Sequence, residues 1–298
     1  MERVSLKGGV ELSRIAYGMW RVGEDADTSP GRIRAKIEAC LDQGITTVDQ
    51  AAVYGGYTSE DLLGDCLRQN RGLRERIEIV TKCGIVAPVG RHAEARVKHY
   101  DTSEAHIVSS VDHSLRSLGT DYIDLLLVHR PDPFMDHTET GRALDSLVRS
   151  GKVRAVGVSN FKVWDWKLLQ SAMETPLATN QIEISLAEPH CFEDGDIAHL
   201  QELRVPPMAW SPLGGGSLFG EKSGGELRTV VSKVAMIHGV DEAAVAVAWL
   251  LRHPARIIPV MGSNTLRRIA AFSDALRIEM DRETWFELYT AALGRDVA

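Results

Sequence analysis

Four side chains from three separate stretches of the chain have the chemistry of a proton relay. Asp49 closes a short β-branched run within TTVDQAAVYGG, Thr46 to Gly56, and Tyr54 follows five residues later. A strand reading Thr46-Thr47-Val48 points into a core, where an unpaired carboxylate is costly or loses its charge, so Asp49 requires a cation. Lys82 ends a second apolar run, Ile-Glu-Ile-Val-Thr, and His129 ends a third, Leu-Leu-Leu-Val. Lys82, brought in by a neighbouring strand, supplies the cation. Its ammonium favours the phenolate of Tyr54 and lowers a pKa that is ordinarily about 10, too high for proton exchange at neutral pH. His129 can donate a hydrogen bond to a substrate oxygen. Together they form an acid and an oxygen-polarising donor, suited to protonating an oxygen as negative charge develops on it, as when a carbonyl accepts hydride.

Such a meeting needs elements that deliver these ends to one place. Val4 to Leu12 alternates apolar and polar around Gly8-Gly9, the pattern of a tight β-hairpin. Beyond it, short apolar runs alternate with helix-period segments such as Ile33-Ile37-Leu41 and Ile107-Val111-Leu115-Leu118. The runs predict eight strands: Arg14 to Gly18, Thr46 to Asp49, Glu78 to Lys82, Ile123 to His129, Arg154 to Ser159, Ala178 to Gln181, Pro207 to Trp210 and Arg256 to Val260. In a chain of 298 residues without a GxGxxG turn, this reads as an α/β fold, a single (β/α)8 TIM barrel with an N-terminal β-hairpin, and not a doubly wound sheet. No Pro-, Gly- or Ser-rich linker divides it, so one domain over 1–298 is expected. In a barrel the ends Asp49, Lys82, His129, Ser159-Asn160, Gln181 and Trp210 converge on one mouth. Two long connections, Gly84 to Ser103 and Pro212 to Gly225, leave the same face.

Composition narrows the partners. With 34 basic against 41 acidic residues, a net charge of −7 and no Lys/Arg run longer than two, nucleic acid and anionic membrane are poor partners and a small molecule is favoured. Four cysteines without CxxC spacing read as reduced thiols. The N-terminal MERVSLKGG has no apolar segment of a signal peptide, and the longest apolar stretch, Ala243 to Leu251, is too short to span a bilayer, so a cytoplasmic protein is expected. His92, His99, His106 and His113 recur every seven residues, but they begin in a charged loop and no carboxylate pattern completes a metal site.

The segments DQAAVYGG, EIVTKCG, LLLVHRPDP, GKVRAVGVSNF, NQIEIS and AWSPLGGG, in that order, resemble the aldo-keto reductase superfamily, and most of all its bacterial NADPH-dependent members. The resemblance runs from the hairpin to the last helix. It implies reduction of an aldehyde or ketone with NADP(H) and no metal, with Tyr54 as general acid/base, Lys82 and Asp49 tuning it, and His129 orienting the carbonyl. It gives Ser159, Asn160 and Gln181 to the nicotinamide carboxamide and Trp210 to stacking on its ring. Ser211, Leu213, Gly215 and Ser217 fall in the loop over the pyrophosphate, and Gly262, Ser263, Asn264 and Arg268 match the site for the adenosine 2′-phosphate. Gly-Ser-Asn-Thr opening a helix beside an arginine also suits a phosphate dianion on physical grounds.

Three residues depart from the family pattern: Gln50 where a small residue is usual, able to crowd the pocket floor, Gly262 where many members carry lysine, and Phe272 where many carry asparagine. The chain ends at Ala298 without the long tail that steroid-handling members fold over their pockets. An open site for small aldehydes follows, lined by Trp20 and part of the loop after Lys82. The rival reading is an NADP(H)-binding module acting through a protein partner, as in potassium-channel beta subunits. A metal-dependent barrel hydrolase would need His-x-His where this chain has Tyr17-Gly18-Met19-Trp20.

Overall fold

Gly8 and Gly9 reverse the chain because both take positive φ, 87° and 82°, a region that glycine enters without steric cost. The reversal pairs β1 (Arg3–Ser5) with β2 (Glu11–Ser13) in the expected antiparallel hairpin. The computed structural model describes residues 1–219 and 225–298. After the hairpin, β3 (Ala16–Gly18) leads to α1 (Pro30–Leu41) and β4 (Thr47–Asp49) to α2 (Ser59–Gln69). β5 (Glu78–Cys83) is followed by two short strands, β6 (Ile85–Val86) and β7 (His99–Tyr100), and then by α3 (Glu104–Leu118). β8 (Ile123–Val128), β9 (Val153–Ser159) and β10 (Asn180–Glu183) lead to α4 (His137–Arg149), α5 (Val163–Gln170) and α6 (Asp196–Glu202). β11 (Met208–Trp210) precedes α7 (Glu226–His238) and α8 (Glu242–Arg252), and β12 (Ile258–Met261) precedes α9 (Leu266–Ile269) and α10 (Arg282–Leu293).

The eight strands β3-β4-β5-β8-β9-β10-β11-β12 pair parallel in that order, and β12 pairs with β3 to close the barrel. This is the (β/α)8 fold expected from the alternation of runs. Boundaries move by a residue or two: the sixth strand begins at Asn180 and continues to Glu183, and the eighth begins at Ile258.

One core fills the barrel and a second surrounds it. Val4, Leu6, Val10 and Leu12 of the hairpin join Ala16, Val80, Leu125, Leu127, Ala155, Met208 and Ile258 in the inner cluster, so the hairpin seals one end. Residues two positions apart on a strand share a face. Val80 therefore aligns Lys82 with the interior, Leu127 aligns His129 and Met208 aligns Trp210. The other parity, with Ile79, Leu126, Val156 and Ala209, packs outward against the helices.

The long connection after β5 is more structured than a loop. β6 and β7 pair antiparallel, and Tyr57 ties the connection down, its hydroxyl donating to Ile85 O at 3.2 Å and accepting from Ala87 N at 2.8 Å. This anchors it to the Tyr54–Gly56 turn. The second long connection, Pro212 to Gly225, lies partly outside the described residues. Among the described residues no single helix is long and apolar enough to cross a membrane. All four cysteines are free and buried.

Candidate active site

Asp49 and Lys82 meet inside the barrel mouth, as the sequence required. Lys82 Nζ donates to Asp49 Oδ2 at 2.8 Å, to Gln50 O at 2.8 Å and to the Tyr54 hydroxyl at 3.1 Å. Three acceptors match the three protons of an ammonium. Burial would drive the Lys82 proton off, but Asp49 and the Tyr54 oxygen outweigh it and hold the pKa above the ordinary lysine value.

Tyr54 behaves differently from the expectation that its neighbouring ammonium lowers its pKa. Burial raises the phenol and Asp49 adds to that; Lys82 and Arg130 pull it down without overcoming both, so the group stands above its ordinary value. The phenol is thus firmly protonated at neutral pH. His129 packs edge-on against it, ring centroids 5.9 Å apart at 76°. Burial, together with Lys82, Arg130 and Lys98, keeps the His129 pKa well below 6.5, so the imidazole is neutral, with one N–H to donate.

The other strand ends join this center through a hydrogen-bonded chain. Gln181 Nε2 donates to Asp49 Oδ1 at 2.7 Å, and Ser159 Oγ donates to Gln181 O at 2.7 Å. Asn160 Nδ2 donates to Ser159 Oγ at 2.8 Å, and Trp210 Nε1 donates to Asn160 Oδ1 at 2.9 Å. Asn160 holds a positive φ of 60°, which turns its side chain back along the mouth. Gln50 does not crowd the floor: it is fully buried and its amide donates to Ser59 O at 3.1 Å and Met19 Sδ at 3.3 Å. The reason is strand parity, which turns the residue after an inward Asp49 outward.

The remaining sequence candidates lie on two loops at the same face. Ser211 carries φ 49° and accepts from Gly214 N, and Leu213 accepts from Gly216 N. Gly215 is exposed and its carbonyl faces Arg21 NH2 at 3.4 Å, while the Ser217 hydroxyl turns back onto Gly214 O at 2.7 Å. Gly262 and Arg268 are exposed, and Ser263 Oγ accepts from Thr265 N at 3.1 Å. The expected helix after them is a single turn, α9, and the Asn264 side chain is engaged inside the protein, with Lys36 Nζ at 2.9 Å and Arg21 O at 2.8 Å. Trp20 is 57% exposed at the rim with the Arg21 guanidinium 5.0 Å from its ring.

Sequence reasoning passed over Arg130 and Lys36. Arg130 follows His129 directly and lies 5.8 Å from the center of the Trp210 ring, a charge at the mouth that the HRPDP segment already displayed. Lys36 occupies the apolar stripe of α1 between Ile33 and Ile37, and a lysine on such a stripe was the available signal. Among the described residues no group of three or more His, Cys, Asp and Glu side chains could hold a metal ion.

Comparisons with known proteins agree with this geometry. The model of the Aldo/keto reductase family matches residues 14–291. The chain is 63% identical to 6-dehydroglucose reductase of Agrobacterium fabrum over 298 residues, all of both chains. It is 39% identical to 6-dehydroglucose reductase of Novosphingobium aromaticivorans, over 96% of this chain and 93% of that one. A crystal structure of an aldo/keto reductase from Klebsiella pneumoniae in complex with NADP and acetate superposes with a TM-score of 0.80 at 27% identity, over 96% of this chain and 93% of the other. With its closed eight-stranded barrel and a family match over nearly its whole length, the chain belongs to the aldo/keto reductase family.

Proposed function

We propose that the chain reduces an aldehyde to an alcohol with NADPH, Tyr54 giving the proton. The observation that carries this reading is the Tyr54 hydroxyl 3.1 Å from Lys82 Nζ, which is itself 2.8 Å from Asp49. NADPH, when bound, supplies the hydride. Neutral His129 donates its ring N–H to the carbonyl oxygen and fixes it beside the Tyr54 hydroxyl. As charge builds on that oxygen the Tyr54 proton moves to it, and the phenolate left behind is held by the Lys82 ammonium. Asp49 keeps Lys82 charged through the exchange.

The residues at the mouth fit such a cofactor. Gln181 Oε1 and the second hydrogen on Asn160 Nδ2 remain to meet a carboxamide. Trp210, tethered at its Nε1, presents a ring face to the nicotinamide. A Cβ on Gly216 would meet nothing within 4 Å and one on Gly262 would meet only Gly18 O at 3.3 Å, so both loops offer bare backbone for close approach. Ser263 and the exposed Arg268 suit the 2′-phosphate.

For the substrate we assign the class named in the two relatives, a sugar aldehyde such as 6-dehydroglucose. Arg130 beside Trp210 adds a planar donor fork suited to hydroxyl groups. The four buried free thiols support a cytoplasmic setting. The test is NADPH oxidation by purified protein with 6-dehydroglucose against short aliphatic and aromatic aldehydes. Faster turnover of the sugar aldehyde is expected. Equal rates would remove the substrate assignment, and tight NADPH binding without turnover of any aldehyde would favour the binding-module reading.

A further inference from the structure

Lys36 is a buried cation that the proton relay does not use. Its side chain is 1% exposed, and its ammonium lies 2.6 Å from Asp25 Oδ2 and 2.9 Å from Asn264 Oδ1. Asp25, on the turn before α1, also takes Arg32 Nε at 3.2 Å. The loop Gly262 to Thr265 is gripped from the same side: Arg32 NH2 donates to Asn264 O at 2.9 Å and the Tyr17 hydroxyl to Ser263 O at 3.1 Å. Every grip comes from the first β/α unit and lands on the loop after the last barrel strand.

The Asn264 amide sits at the crossing point. An amide offers an acceptor oxygen on one side and a donor nitrogen on the other, and either could be turned toward a partner. Lys36 has only protons to offer, so its contact with Oδ1 fixes the orientation and leaves Nδ2 to donate to Arg21 O at 2.8 Å. Arg21 in turn reaches Gly215 O at 3.4 Å on the glycine loop. A single buried ammonium therefore sets the relation among three loops at the barrel mouth.

We infer that Lys36 is a positioning residue for NADPH: by fixing the Asn264 amide it locks the loop carrying Ser263 and Arg268 to the first loop of the barrel, and so sets the preference for NADPH over NADH. The inference rests on the proposed role of that loop in holding the 2′-phosphate. Lys36 touches neither the reacting carbonyl nor Tyr54, so it acts on cofactor affinity and leaves the proton transfer alone. A loop that has lost its anchor presents Ser263 and Arg268 in many orientations, which weakens a phosphate contact and leaves a cofactor without that phosphate little affected.

The test titrates wild-type protein, Lys36→Met, Asn264→Leu and the double variant with NADPH and NADH by quenching of tryptophan fluorescence, and measures kcat and KM with each cofactor. Lys36→Met is expected to weaken NADPH about tenfold and NADH twofold or less, with kcat within twofold of wild type, a loss of about 1.4 kcal/mol by the tenfold conversion. Asn264→Leu keeps the Asp25–Lys36 pair and should show the same split, and the double variant should be no worse than either single one. If Lys36→Met does not fold, Tyr17→Phe, which releases the same loop at Ser263 O and leaves the Asn264 side chain in place, takes over and should show the same split. Equal losses for both cofactors, or NADPH losses that add in the double variant, would overturn the inference. Failure of wild-type protein to bind NADPH would instead remove the cofactor reading on which it stands.

Discussion

Gln181 and Asp49 sit on strands directly across the barrel, β10 and β4, yet Gln181 Nε2 lies 2.7 Å from Asp49 Oδ1. This bond joins the proposed proton relay to the residues around Trp210. It also means that Asp49 is held from both sides, by Lys82 on one oxygen and Gln181 on the other.

Removing the Gln181 donor leaves a buried carboxylate oxygen without a partner, which costs about 1–3 kcal/mol. Gln181→Leu should therefore lose that much unfolding free energy in a urea titration and lose at least tenfold in kcat, because the Asp49 carboxylate is no longer fixed in its orientation toward Lys82. Unchanged stability alongside unchanged kcat would show that the bond across the barrel does neither job.

The Asp49–Lys82 pair should be separable into stability and chemistry. Losing one partner of a buried pair costs about 3–5 kcal/mol because the remaining charge is stranded. We expect Lys82→Met to be destabilised on that scale. Adding Asp49→Asn should restore most of the stability and none of the aldehyde turnover. Urea unfolding and NADPH oxidation measured on the same three proteins decide the matter, and a double variant less stable than Lys82→Met would contradict it.

The raised phenol of Tyr54 predicts an asymmetry between directions. Alcohol oxidation requires the phenolate as base, and with a pKa above about 10 its share grows roughly tenfold per pH unit between pH 7 and 9. Oxidation should climb with pH across that range while aldehyde reduction, which uses the phenol, stays nearly flat. Arg130→Met removes a charge that lowers the Tyr54 pKa, so it should depress oxidation at each pH. Parallel pH profiles for the two directions would be incompatible with Tyr54 as the exchanging group.

Much of the site was legible because barrel geometry turns strand ends into neighbours. Asp49, Lys82 and His129 could be recognised as a set before any contact was known, since each closes an apolar run with a charged or titratable side chain. Parity also said which residues face inward, but not which of them touch, so Gln181 was assigned to the carboxamide alone and its bond to Asp49 was missed. The direction of the Tyr54 pKa was illegible for a related reason: spacing reveals the nearby ammonium and hides the degree of burial that opposes it. Gln50 was misplaced because its side-chain direction follows from the register of β4, fixed by pairing with β3 and β5.

Acid should destabilise the fold through its histidines. Burial lowers the pKa of His129, His92, His106 and His113, and brings His253 down to about 4. In the unfolded chain these groups take up protons near pH 6.5, whereas in the folded chain they stay neutral to lower pH. The sign follows: stability present above about pH 6.5 is lost as pH falls toward the folded values. Glu60, Glu183 and Asp196, whose carboxyls burial raises, act in the opposite sense, three groups against five. Urea midpoints should fall between pH 7 and pH 5, and His253→Phe should flatten part of the fall; a midpoint that rises on acidification would contradict this balance.

The decisive comparison is NADPH oxidation with 6-dehydroglucose by the wild-type protein and by Tyr54→Phe, with NADPH binding measured on both. Loss of the hydroxyl removes one proton and leaves the ring in its contact with His129, so folding and cofactor binding should persist. We expect kcat to fall by about 10²–10⁴, the usual weight of a positioned acid, with the NADPH dissociation constant within a few fold. A Tyr54→Phe protein that turns over within tenfold of wild type would show that the proton comes from elsewhere and that the Asp49–Lys82–Tyr54 relay is not the catalytic center.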